Sequence, residues 1–298
     1  MLYEEKTDAF FSTFTNDFRG GSSMSFFDRI GRAVKEHLKR KRTMYPIQNS
    51  YEFPAYEYSD LLDKRNLAMK MLCSAENSTL DWEKQYGYIE DIEDDRGYTG
   101  GLVGFTSATG DMLQLVINYT TCQPENVLAK YIPTLRKVYG SSSHAGLGEP
   151  FVQAWKKAAK DQLFQRTQNK LVDTMYFYPA VNQAKRDGLN ALGQFCYFDA
   201  MVMHGPGDPE GDDDEPSFDS IRAETLERAD TPTQGGSESL YLQEFLSARK
   251  RAMKQETAHA DTDRVDTMQL KWLNEGNLTL SPPLFWSVYG DSYVILTT

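Results

Sequence analysis

A chain of 298 residues with 40% hydrophobic and 25% charged content can bury a sizeable core, which excludes wholesale disorder. A net charge of −11 argues against nucleic acid as the main ligand, since a phosphate backbone would be repelled, and favours a cationic or neutral partner. Nine Lys/Arg against six Asp/Glu give residues 1–50 a net +3, which leaves −14 on the remaining 248.

Residues 1–24 are polar with scattered aromatics and end in Gly20-Gly21-Ser22-Ser23. Over 25–42, Phe26, Phe27, Ile30, Val34 and Leu38 fall on one face at helical spacing. Ser25 stands as N-cap, and Lys39-Arg40-Lys41-Arg42 suits the C-terminal end of the helix dipole. Such a basic amphipathic helix either packs on the main body or touches an anionic surface, wall polymer or nucleic acid. Residues 43–58 hold two prolines and no helical period, so they read as linker. The chain therefore divides into an extension, 1–58, and a main domain, 59–298.

Spacing predicts a helix over 60–75 with Leu61, Leu62, Met69, Leu72 and Cys73 towards the core. Over 82–105, β-branched and aromatic residues broken by Gly97, Gly100, Gly101 and Gly104 predict short strands and turns. Helices follow at 111–120, 124–138 (with Pro124 at the first position), 150–169, 179–187, 189–203, 218–229, 237–258 and 264–275. The fold class is α+β, mainly α, with one small β region after the first helix. Residues 207–216 form an acidic loop that imitates a calcium loop, but Asp213 stands where an EF-hand requires glycine, so a solvated surface loop is expected.

Several chemistries are disfavoured. Cys73, Cys122 and Cys196 are odd in number and far apart, so free thiols are expected rather than a disulfide framework. His37, His144, His204 and His259 show no metal-ligand spacing, and no metal or other cofactor is expected. There is no GxSxG elbow, and the glycines of GYTGGLVG match neither a Walker loop nor a dinucleotide fingerprint. No apolar run approaches a transmembrane span, and no signal peptide is visible. Carboxylate chemistry remains. Glu76 closes an apolar-faced helix in Ser74-Ala75-Glu76-Asn77, and Asp94 lies in the acidic turn Glu93-Asp94-Asp95-Arg96-Gly97. Glycosidic cleavage needs such a pair, one acid protonated by an apolar setting and one ionised in a polar setting.

The segments AENSTLDW (75–82), YIEDIEDDRGYTGG (88–101), GFTSATGDML (104–113), SSSHAGLG (141–148), ALGQFCYFDAMVMHGPG (191–207) and DTDRVDT (261–267) resemble, in order, the family 46 glycoside hydrolases, the chitosanases. GNLTLSPPLFW (276–286) and YGDSYVI (289–295) continue the likeness. The resemblance implies a lysozyme-like fold, with two helical lobes joined by a bent helix and a small sheet beside the cleft. It implies endo-hydrolysis of β-1,4 links between glucosamine units of chitosan, with inversion. Matched residue by residue, Glu76 is then the general acid, Asp94 the general base and Thr99 the hydroxyl that helps hold the attacking water. Asp199, Arg249 and Arg264 match a supporting network behind the acid. Tyr88, Arg96, Asp111 and His204 match positions lining the sugar subsites.

Departures from the family pattern are Ala260, where an acid often follows the histidine (His259 here), a longer 207–216 loop, and residues 1–58, which have no counterpart. The leader usual in the family is also missing, so action on extracellular wall polysaccharide implies release by lysis or a non-classical route, as for members encoded by large algal viruses, or else intracellular accumulation. A monomer is expected, with chitosan as partner, no nucleic acid and no transmembrane segment. The fold would also suit a muramidase or chitinase, and another class of reading is a non-catalytic cationic-glycan binder or structural protein.

Overall fold

The computed structural model describes residues 55–93, 95–207, 216–255 and 261–297. The helix expected over 25–42, Asp94, His259, Ala260 and residues 208–215 of the acidic loop lie outside the described residues.

Helix α1 (Ala55–Glu76) starts ahead of the expected Asp60. It buries Leu67, Met69, Met71, Leu72 and Cys73, as expected for Met69, Leu72 and Cys73, while the side chains of Leu61 and Leu62 lie outside those described. Asn77 N still reaches Cys73 O at 2.8 Å, and Ser78 at φ 51° then turns the chain away. Glu76 is thereby placed at a helix end. A 3-10 turn (Trp82–Gly87) leads into an antiparallel sheet of β1 (Ile89–Asp91), β2 (Tyr98–Gly100) and β3 (Phe105–Thr106). Thr99 is its centre, paired with Glu90 on one side and Thr106 on the other.

Helices α2 (Asp111–Cys122), α3 (Ile132–Val138), α4 (Gly148–Ala158) and α5 (Gln162–Val172) follow. Two expectations fail here. Pro124 does not open a helix, because Asn126 Oδ1 accepts from Leu128 N (2.8 Å) and Ala129 N (3.1 Å) and holds a turn instead. The helix expected over 150–169 is broken, because Asp161 Oδ1 caps α5 at Leu163 N (2.8 Å). Tyr119 OH donates to the other Asp161 oxygen at 2.7 Å, which fixes that break against α2.

Helix α5 runs without interruption through a π-helical turn (Asp173–Phe177) into α6 (Tyr178–Asp187), and such turns are where long helices bend. Next come α7 (Ala191–His204), α8 (Phe218–Leu226), α9 (Glu238–Gln255), a second π-helical segment (Arg264–Gln269) and α10 (Leu270–Asn274). A hairpin of β4 (Leu284–Val288) and β5 (Asp291–Ile295) ends the described chain. One small β region was expected, and there are two among the described residues. Leu284, Trp286 and Val288 point inward while Phe285 is exposed, a period-two alternation that reads as a strand.

Aromatic contacts fall into two sets. Tyr119, Phe151, Trp155 and Phe164 pack α2, α4 and α5 together near the first sheet. Tyr197, Phe218 and Phe245 join α7, α8 and α9, while Phe195, Trp272 and Trp286 join α7, α10 and the hairpin. The α5–α6 helix links the sets, with Phe164 in the first and Phe177 against Phe198 in the second.

Candidate active site

Glu76, Asp199, Arg249 and Arg264 meet in one network. Glu76 Oε1 accepts from Arg264 Nη2 at 2.6 Å, and the same nitrogen donates to Asp199 Oδ1 at 2.8 Å. Asp199 Oδ2 accepts from Arg249 Nη1 (2.6 Å) and Gln269 Nε2 (2.7 Å). Arg249 Nε approaches His204 Nε2 at 3.5 Å, which brings one sugar-subsite candidate to the edge of the network. Asp199, Arg249 and Arg264 are 0%, 0% and 3% exposed. Burial alone would push the Asp199 carboxyl up, but the guanidiniums of Arg249 and Arg264 outweigh it and hold it below the usual carboxylate range. Burial likewise opposes the charge on Arg264, and Asp199 and Glu76 overcome it, so this guanidinium stays charged.

Gln269 was not foreseen. At about 100° per residue, positions five apart on an α-helix diverge by about 140°, so Arg264 and Gln269 would face different ways. The π-helical segment bonds i to i+5 and brings both onto Asp199.

The apolar setting expected around Glu76 is corrected. Its side chain is 31% exposed, and its nearest support is a guanidinium. Apolar material lies one turn back, where burial, then Glu76 and Asp81, push the Cys73 thiol up to about 12, so that thiol is no nucleophile near neutral pH.

The C-terminal hairpin braces this centre. Trp286 Nε1 donates to Ser74 Oγ at 3.0 Å, two residues before Glu76. Thr267 Oγ1 donates to Ser287 O at 2.5 Å, and Tyr289 N donates to Asp263 Oδ2 at 2.5 Å, next to Arg264. The alternation of Leu284, Trp286 and Val288 with Phe285 and Ser287 is the sequence signal that could have pointed to this brace.

The remaining candidates belong to the first sheet and its flanks. Thr99 is 7% exposed, and its Oγ1 has no hydrogen-bond partner among the described residues. Tyr88 OH donates to Glu90 Oε1, and Arg96 O accepts from Ala108 N at 3.2 Å. Asp111 Oδ1 accepts from Thr106 N (2.7 Å), Thr109 Oγ1 (2.9 Å) and Met112 N (2.8 Å), leaving Oδ2 outside this set. Burial pushes the Asp111 carboxyl up to about 6 against the pull of those bonds. Glu93 and Asp95, the described residues on either side of Asp94 in the sequence, have φ 58° and 63°. Among the described residues no three His, Cys, Asp or Glu side chains gather to hold a metal ion, and no helix is long and apolar enough to cross a membrane.

The sequence model of glycosyl hydrolase family 46 matches residues 70–284, a span that holds every one of these side chains except those of the hairpin beyond Leu284. The chain belongs to glycosyl hydrolase family 46. A chitosanase of Streptomyces sp. (strain N174) is 59% identical over 232 residues, covering 78% of this chain and 82% of the relative. A chitosanase solved with its substrate is 52% identical at a TM-score of 0.74, covering 78% of this chain and 95% of that one. The complex of a Gynuella sunshinyii family 46 chitosanase with chitotetraose is 32% identical at a TM-score of 0.71, covering 79% and 98%. The mainly helical α+β architecture with small antiparallel sheets is thus the lysozyme-like fold of family 46.

Proposed function

We propose that this chain is an endo-acting chitosanase, cleaving β-1,4 links between glucosamine units with inversion, with Glu76 as general acid and Asp94 as general base. The observation that carries the reading is the shared guanidinium of Arg264, bonded at once to Glu76 (2.6 Å) and to the buried Asp199 (2.8 Å).

Protonated Glu76 gives its proton to the glycosidic oxygen as the bond to the anomeric carbon breaks. Asp94 takes a proton from a water that attacks that carbon from the opposite face, with the Thr99 hydroxyl helping to hold the water. Glu76 ends ionised and Asp94 protonated, and solvent exchange restores both. Arg264 favours the carboxylate that Glu76 becomes, so its interaction strengthens along the reaction, which is what lowers a barrier.

Asp111 suits an ammonium group, because Oδ1 is already bonded to three donors and Oδ2 remains for a ligand. An acetylated sugar brings no charge to it. Tyr88, Arg96 and His204 complete the sugar contacts. The −14 carried by residues 51–298 draws a cationic polymer towards the domain, an effect that salt screens. The protein works as a monomer on extracellular polysaccharide, with 59–298 as catalytic domain and 1–58 as an extension.

Glu76→Gln and Asp94→Asn test the assignment through reducing-end release from chitosan, chitin and peptidoglycan. Each variant should lose about 10²–10⁴-fold activity on chitosan with unchanged circular dichroism. Near-normal turnover in either removes that residue from its role, and peptidoglycan cleavage without chitosan cleavage refutes the substrate. Proton NMR of the first product's anomeric signal decides inversion.

A further inference from the structure

The hairpin that braces Glu76 and Arg264 turns through two residues, since Val288 pairs with Asp291 across the loop. Both loop residues have positive φ, Tyr289 at 51° and Gly290 at 87°, as a type I′ turn requires. The first position of such a turn favours Asn, Asp or Gly, and a bulky aromatic there is an outlier. Backbone strain of this kind persists where the surroundings over-determine it, and functional sites are where it concentrates.

Tyr289 is over-determined. Its N–H is held by Asp263 Oδ2 at 2.5 Å, and the neighbouring strand is locked by Trp286 on Ser74 and by Thr267 on Ser287 O. A packing role would bury the ring, yet Tyr289 is 41% exposed. A turn-forming role would select a different residue. Its backbone is held on Asp263, the residue before Arg264, and Arg264 bonds Glu76 at 2.6 Å, so the hairpin tip sits beside the acid and its arginine. What a half-exposed aromatic ring offers beside that pair is a face for a sugar, and for an ammonium-bearing sugar a cation–π contact as well.

We propose that Tyr289 is a substrate-contacting residue that holds the glucosamine unit beside the bond Glu76 protonates. This rests on the reading of Glu76 as the acid. It assigns to the tip of the C-terminal hairpin a part in recognition that the composition of the turn alone disfavours.

The test is Tyr289→Asn, which supplies the residue a type I′ turn prefers. In the wild-type background the melting temperature should hold or rise by about 2–4 °C, while kcat/KM on glucosamine hexasaccharide falls about tenfold. In the Glu76→Gln background, calorimetry with the same hexasaccharide should show Kd raised about tenfold by the added Tyr289→Asn. Rates and Kd within twofold of the parents would overturn the proposal. A fall in melting temperature together with activity would overturn it too, by making Tyr289 a packing residue. Normal turnover by the Glu76→Gln parent would refute the reading of Glu76 alone, and the wild-type-background comparison would still decide Tyr289.

Discussion

Replacing Asp199 by Asn changes one oxygen to an NH₂ and removes the buried negative charge on which the network turns. Asp199 now accepts from Arg264 on Oδ1, and from Arg249 and Gln269 on Oδ2. An asparagine can present its oxygen to only one side, so its NH₂ must face either Arg264 or the Arg249–Gln269 pair, donor against donor. Two buried guanidiniums are then left with the partly exposed Glu76 as their one carboxylate in the network. Removing one partner of a buried ion pair costs about 3–5 kcal/mol. For a domain of this size that is a drop in melting temperature of roughly 6–20 °C by calorimetry. The effect has a pH signature. The Asp199 carboxyl is held below its ordinary range, so its stabilisation is present above the unfolded carboxylate value and lost as pH falls through the folded one. Wild type and variant should therefore differ most at neutral pH and begin to converge only below about pH 4. A melting temperature within about 3 °C of wild type would refute the argument from the buried charge.

Asp111→Asn tests the other perturbed carboxyl. Because Asp111 is pushed up to about 6, its folded form binds a proton more tightly than the unfolded chain, so its stabilisation is full below about pH 4 and lost as pH rises through 6. Wild type should lose about 3 kcal/mol more than the variant between pH 4 and 7, readable in paired melting curves, and parallel curves would refute this. Gly101→Ala should unsettle the first sheet, because at φ 77° its Cβ would stand 2.5 Å from Gln168 Oε1 and 2.9 Å from the Phe105 ring. Gln168 bonds Leu102 N and Tyr86 O, so displacing it should cost about 2–4 kcal/mol and reduce turnover through Thr99; an unchanged melting temperature would count against the contact.

What the sequence revealed was set by how local each cause is. Helix α1 and the strand-and-turn region after it were legible because apolar spacing and glycines act within a few residues. The break at 159–161 was not, because the Asp161 cap draws on Tyr119, 42 residues earlier. Asp199, Arg249 and Arg264 were reached through the family resemblance, since an acid and two arginines in separate helices carry no local mark of their meeting. Gln269 escaped because α-helical periodicity turns it away from Arg264, and only the π-helical winding reverses that. The setting of Glu76 was misread for a related reason. Apolar neighbours along α1 describe its buried side, whereas the carboxylate extends past the helix end to a partner on another element.

That partner is 188 residues away, and the brace at Ser74 comes from 212 residues away. The geometry of the acid is therefore a property of the finished fold rather than of the motif around it. A side chain at a helix end, a third exposed, has no rotamer locked by its own helix. Its direction is imposed by a guanidinium whose own position is doubly fixed, by Asp199 on one side and by the hairpin's hold on Asp263 on the other. Arg249 and Gln269 in turn keep Asp199 from rotating, since both donate to the oxygen that Arg264 does not use. Each group is thus held by something other than the group it acts on, which allows Glu76 to change protonation state without losing its support. A carboxylate fixed by its own pairing alone would be freed each time it took up a proton. Here the charged frame of Asp199, Arg249 and Arg264 stays intact through that change and awaits the carboxylate's return.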